Sequence, residues 1–267
     1  MDAHNNHLPI TAGLREYAFV LSGGGARGYA HIGVLQAFAE HGILPRAISG
    51  TSAGAIAGAL ICDGYTPLEA AEIFRNYKLT PRFRLTRHSL GLSLHFLEAF
   101  LQRYLRHTDF EHLHIPLFVC ATDFTNGQLK VFDRGPIIPA VLAASAIPII
   151  FPPVYIDGKP YVDGGLSSNL PVEPLLDRYA PIVGVHVNPL PEYDPSKRSF
   201  IRNLERTLNF AIRGVVHRNM MHCQWFIEPP GLSQYGLFDT HKFDEIYQIG
   251  FRYARTYIAE HRLTVSS

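Results

Sequence analysis

Three short stretches carry the residue types that acyl or phosphoryl chemistry needs. The first is Gly23-Gly24-Gly25-Ala26-Arg27-Gly28, between an apolar run (Tyr17–Ser22) and a helical one. Three consecutive glycines cost backbone entropy and add no packing, so either the chain turns there with positive φ or something approaches the backbone closely. The segment satisfies G-x-G-x-x-G. The dinucleotide fingerprint also wants an acidic residue about 20 positions on, and no carboxylate ends the second strand in "HGILPRAISGTSAG". No Gly-Lys-Ser/Thr follows, so the Walker pattern fails as well. A helix N-terminus still offers N–H groups to an anion, whether a phosphate or a tetrahedral oxyanion.

The second stretch, Gly50-Thr51-Ser52-Ala53-Gly54, lies between a strand and an Ala/Gly-rich helix. This is the context of a nucleophile elbow, in which flanking glycines permit a sharp turn and a helix N-terminus stabilises nearby negative charge. It also reads as a helix start with Ser52 as the cap. The third stretch is Asp163-Gly164-Gly165, a strand-end carboxylate with open surroundings or a plain Asp-Gly turn. A carboxylate within reach of the Ser52 hydroxyl can act as general base. The competing bases are His186, His217, His222 and His241, none of which sits in a distinctive loop.

These residues need elements to position them. Strands are expected near Tyr17–Ser22, Ala47–Ser49, Pro116–Asp123, Gln128–Asp133, Tyr161–Asp163, Ile182–Val187 and Gln224–Ile227. Helices are expected near Gly28–His41, Ser52–Asp63, Leu68–Tyr77, Ser93–Arg106, Ile137–Ser145, Arg202–Met221 and Phe243–His261. Runs such as "IVGVHV" are almost wholly apolar, as in strands covered on both faces, and "TNGQ" (Thr125–Gln128) signals a hairpin. The class is α/β with some antiparallel pairing. Leu90–Phe100 reads as a core helix or as one lining an acyl channel or touching a membrane.

The 267 residues suit a single domain, 1–267, with Pro189–Arg198 as a surface loop. A net charge of +1 gives no whole-chain field for nucleic acid. Arg82, Arg84 and Arg87 form a local basic cluster, read as a solvated connection or a contact with anionic lipid head groups. Cys62, Cys120 and Cys223 lack CxxC spacing, which argues against a disulfide framework or zinc site and for buried thiols. The start "MDAHNNHLPITAG" has neither a basic n-region nor an apolar h-region, so no signal peptide is expected and a reducing, cytoplasmic setting is favoured. Gly135–Ile156 is uncharged and long enough to span a bilayer, but five prolines interrupt it. A short buried helix followed by an extended segment is expected there.

"GGGARG", then "GTSAG", then "DGG", in this order, resemble the patatin-like phospholipase family. "AHIGVLQAF" and "AASAIPIIFPPV" add to the likeness, which runs from about Tyr17 to about Leu175. The resemblance implies a three-layer sandwich, with a mostly parallel central sheet flanked by helices. It implies a catalytic Ser–Asp dyad of Ser52 and Asp163 with no catalytic histidine. The oxyanion hole would fall on Gly23, Gly24, Gly25 and Ala26, with Arg27, Gly28, Gly50, Gly54, Gly164 and Gly165 supporting the motifs. The implied activity is hydrolysis of lipid acyl esters without metal or cofactor. Expected partners are a lipid ester substrate and a peripheral contact with the inner face of a membrane, with no nucleic acid. Acyl transfer by the same serine, and a lipid-binding or regulatory role with little turnover, are the alternatives.

Overall fold

Alternate residues of the first strand, β1 (Arg15–Leu21), face opposite layers, as the period of two in a strand requires. Phe19 and Leu21 join the larger core cluster, whereas Ala18 and Val20 join the smaller one on the other face. The computed structural model describes residues 15–77, 79, 82–83, 92–190, 192 and 200–263. Within it β1 leads through a short 3₁₀ turn (Gly25–Gly28) into α1 (Tyr29–Glu40), then β2 (Ile43–Gly50), α2 (Ala53–Cys62) and α3 (Pro67–Asn76). A two-stranded ribbon of β3 (Arg82–Phe83) and β4 (Leu92–Ser93) precedes α4 (His95–Tyr104). There follow β5 (Leu117–Asp123), β6 (Leu129–Phe132), α5 (Ile137–Ala144), β7 (Val154–Ile156), β8 (Lys159–Asp163) and the single turn α6 (Gly165–Ser168). The chain closes with β9 (Ile182–Val185), α7 (Phe200–Met220), β10 (Trp225–Ile227) and α8 (Phe243–Glu260).

The eight-stranded sheet runs β10-β9-β1-β2-β5-β8-β7, with β6 also paired to β5. The pairs from β10 to β5 are parallel, and β6, β8 and β7 add antiparallel ones. The expected mixed, mostly parallel α/β sheet is therefore found. Helices α1 to α5 and α8 pack over one face, and α6 and α7 belong to the other. Local chemistry fixes the helix ends where the sequence allows it. Thr66 caps α3 in a reciprocal pair with Glu69, and Pro67 opens the helix where no N–H is needed.

The 135–156 stretch forms the short α5, with buried Ile137, Ala140 and Val141, then a turn and β7. No helix among the described residues is long and apolar enough to cross a membrane. Strand β7 falls at the end of the extended segment expected after the buried helix, and Asp157-Gly158 turns the chain from it into β8. Both residues take positive φ (49° and 75°), the geometry of a tight hairpin turn. The ribbon β3–β4 was unread, being two residues a side. Arg84, Arg87, the segment before Arg15 and much of Pro189–Arg198 lie outside the described residues. Cys62 and Cys120 are buried free thiols and Cys223 is half-buried. Burial pushes Cys62 well up, and Cys120 and Cys223 to about 12.

Helices α1 and α8 cross with their backbones almost touching. A Cβ on Gly33 would lie 2.2 Å from the Tyr247 carbonyl oxygen, and one on Gly250 would lie 2.3 Å from that of Ala30. Backbone cannot step aside as a side chain can, so the crossing tolerates no methyl group. Gly33→Ala is expected to lose at least about 2 kcal/mol of unfolding free energy in urea titrations, despite alanine's better helix propensity. A loss below 0.5 kcal/mol, within the usual range for surface changes, would show that the helices part freely.

Candidate active site

Ser52 sits at the junction of β2 and α2 with φ 50° and ψ −124°. A non-glycine residue there is strained and persists only when its surroundings over-determine it. They do so here. The Ser52 N–H donates to the Ala144 carbonyl at 2.9 Å, the Thr51 N–H to the Leu21 carbonyl at 3.3 Å, and the Thr51 hydroxyl to the Cys120 carbonyl at 2.8 Å. Gly54 packs so tightly beneath the turn that a Cβ would lie 2.2 Å from the Leu21 carbonyl oxygen. The turn presents the Ser52 side chain at the N-terminus of α2, where the helix dipole favours negative charge.

Asp163 ends β8, antiparallel to β5, with its N–H on the Ala146 carbonyl at 2.9 Å and its carbonyl accepting from the Thr122 hydroxyl at 3.0 Å. Its side chain is buried. Burial pushes the carboxyl up from 3.8 to about 6, while bonds from the Gly165 N–H (2.8 Å) and the Ser52 hydroxyl hold it down. Ser52 and Asp163 line one pocket together with Gly23, Gly24 and Gly25.

The glycine loop forms the opposite wall. The N–H groups of Gly23, Gly24 and Gly25 donate to no acceptor among the described residues. Ala26 differs from what the motif suggests: its N–H is committed to the Leu237 carbonyl at 2.8 Å. Arg27 is buried with its guanidinium on Glu205 of α7 at 2.5 Å and on the Tyr235 carbonyl at 3.3 Å, so it ties the loop to α7. Gly28 packs against Ala53 of the serine turn, and Gly164 packs against Cys120 and Thr51.

Four supporting residues escaped sequence reasoning. Asn188 donates from Nδ2 to the Gly23 carbonyl at 2.5 Å, and the Val187 N–H donates to the Ser22 hydroxyl at 3.0 Å, so β9's end braces the glycine loop. His31, fully buried, bonds the Ser22 carbonyl through Nε2 at 2.8 Å. Burial pushes it down to about 4, which makes it a neutral support. Asn169 lines the pocket with its Nδ2 buried and unpartnered among the described residues. None of these had a local signature in the sequence, since each acts through partners brought close only by the fold.

Of the four histidines weighed as bases, His186 lines a neighbouring cavity with its Nδ1 on Glu228 at 2.6 Å. His217 lies at that cavity's rim on α7. His222 and His241 are outside the lining of the Ser52 pockets. A second, apolar pocket opens from Ser52 between Ile56, Phe74, Leu97, Phe96, Phe151 and Phe238.

A family model for patatin-like phospholipases matches residues 19–176, more than half of the chain. The chain belongs to this family. An uncharacterized NTE family protein of Mycobacterium tuberculosis is 34% identical over 193 residues, 68% of this chain and 51% of that protein. Patatin-like phospholipase domain-containing protein 7 of Mus musculus is 28% identical over 90% of this chain and 20% of its own length. The chain thus spans about half the length of the mycobacterial relative and a fifth of the mouse one. The crystal structure of VipD from Legionella pneumophila shares the fold, with TM-score 0.50 at 14% identity over 94% of this chain and 68% of that one.

The raised carboxyl has a thermodynamic signature. Asp163 binds its proton more tightly folded (about 6) than unfolded (3.8), so stability falls as pH rises between these values and stays lowered above them. Asp163→Asn keeps the shape and removes that loss. Between pH 4 and pH 7.5 the variant should gain on the native chain by up to about 3 kcal/mol in urea titrations. Parallel curves would mean that the carboxylate is solvated.

Proposed function

We propose that this chain is a serine acyl hydrolase that cleaves lipid carboxylic esters through Ser52, Asp163 and the glycine loop. The observation that carries the reading is the convergence on one pocket of a strained serine, a buried carboxylate that accepts a hydrogen bond from its hydroxyl, and three backbone N–H groups without an acceptor among the described residues. A pure binding protein requires none of these together.

In this mechanism Asp163 takes the Ser52 proton as Oγ attacks the ester carbonyl. A carboxyl near 6 is a better base than an ordinary aspartate yet remains ionised at neutral pH. The carbonyl oxygen gains negative charge and meets the amides of Gly23, Gly24 and Gly25, donors held in place before the reaction. The tetrahedral intermediate collapses, the C–O bond to the alcohol breaks, and the alcohol leaves with the proton held by Asp163. Asp163 then takes a proton from water, whose oxygen attacks the acyl carbon, and the fatty acid departs as Ser52 recovers its proton. The apolar pocket beside Ser52 suits the acyl chain, since its wall of aromatic and aliphatic side chains removes methylene groups from water. The family and the mouse relative's name agree with a phospholipid or other lipid ester as substrate.

Ser52→Ala is expected to abolish hydrolysis of p-nitrophenyl and phospholipid esters and labelling by a fluorophosphonate probe. Asp163→Asn should lose activity nearly as fully, and the double variant little more, because the two act as a unit. Gly24→Val puts a Cβ 2.5 Å from Val187 and should displace the loop, lowering kcat by about 10²–10³. A native chain that neither turns over esters nor takes the probe would point instead to a lipid-binding role.

The base also sets the pH dependence. Because the proton-free carboxylate is the active form, kcat/KM should fall about tenfold per pH unit below about 6 and level off above it. A profile flat down to pH 4.5 would remove Asp163 as the base.

A further inference from the structure

A third cavity, of about 370 Å³, adjoins the serine pocket and shares Asn188, Asn209 and Ile212 with it. One wall is α7, where the spacing of Asn209, Arg213 and His217 puts all three on one face. The other walls come from the ends of β9 (His186) and β10 (Glu228) and from Tyr253 of α8. Its lining carries one permanent cation, Arg213, and one carboxylate, Glu228. The two do not pair. Glu228 accepts from His186 Nδ1 at 2.6 Å, and Arg213 makes no ion pair among the described residues. Opposite charges that face one polar cavity without meeting each other suit a ligand that is itself dipolar. A bare anion would satisfy Arg213 but face Glu228, and a bare ammonium would do the reverse.

We propose that this cavity holds the zwitterionic phosphodiester head group of a glycerophospholipid, with its phosphate on Arg213 and its ammonium on Glu228. The assignment rests on the ester-hydrolase reading for the position of the scissile bond. An ester carbonyl at Ser52 has its acyl arm in the apolar pocket, and its alcohol arm then runs past Asn188 and Asn209 into the polar cavity. Asn209 and His217 offer further polar partners for the phosphate, and the ring of Tyr253 flanks the ammonium. Asn188 also holds the Gly23 carbonyl, so a head group touching it lies against the brace of the glycine loop.

Two measurements test this. In calorimetric titration of the full chain, sn-glycero-3-phosphoethanolamine should bind at one site, more tightly than inorganic phosphate or ethanolamine alone. Arg213→Gln and Glu228→Gln should each weaken it about tenfold or more, as expected for loss of a charged hydrogen bond, and Arg213→Lys should recover part of the loss. This arm needs no turnover, so it stands or falls apart from the hydrolase reading, which p-nitrophenyl ester turnover judges alone. In the second arm, kcat/KM for phosphatidylethanolamine in mixed micelles is divided by that for a monoacylglycerol of the same acyl chain. The ratio should drop about tenfold in both glutamine variants and hold in Lys159→Gln, a surface change on the opposite side of the sheet. Melting temperatures close to the native value establish that the variants fold. Equal binding of phosphate, ethanolamine and the diester would overturn the site, as would glutamine variants that bind like the native chain. Binding that responds to the substitutions, with an unmoved ratio, would make the cavity a site for the free diester and overturn its role in substrate recognition.

Discussion

The site depends on one backbone constraint, the left-handed conformation at Ser52. The turn lifts Oγ clear of the sheet and aims it at the seam between the glycine loop and the end of β8. It is held because the ends of β1, β2 and β5 converge beneath it, through the Leu21 and Cys120 carbonyls and the close approach of Gly54. Strain at one residue is thereby distributed over three strands, each anchored in a core that does not yield easily. The parallel half of the sheet carries Ser52 and the glycine loop, and its antiparallel partner β8 carries the Asp163 carboxylate.

Much of this was legible in the sequence. Strands β1, β2, β5, β8 and β9 follow from apolar runs, and Ser52 and Asp163 fall on element ends that the glycines mark. The glycine positions were readable as places of close approach, but not what each would approach. Long-range partners had no local signature. Asn188 reaches Gly23 across 165 residues of sequence, and Arg27 meets Glu205 across a similar span. The commitment of the Ala26 amide to Leu237 is of the same kind. Strand β7 was legible only as extended chain, because nothing local announces its antiparallel pairing with β8.

Two pockets open on Ser52, and a third shares Asn188, Asn209 and Ile212 with the central one, each with distinct chemistry. One is apolar, the central one is lined by Ser52, Asp163 and the glycine loop, and the third is polar with one charge of each sign. Helix α7 walls the last two, and its buried Glu205–Arg27 pair locks it to the glycine loop. A buried pair of this sort adds little net stability, because the desolvation of both charges offsets much of their attraction, while loss of either partner would leave the other uncompensated.

The state of the three thiols has a consequence of its own. Thiolate, not thiol, reacts with alkylating agents, disulfides and peroxide, and burial keeps Cys62, Cys120 and Cys223 protonated at any ordinary pH. Cys120 lies directly beneath the serine turn, yet it offers oxidants no nucleophile. Cys62 and Cys120 are shut away as thiols inside the fold, and half-buried Cys223 is the one a thiol reagent would reach first.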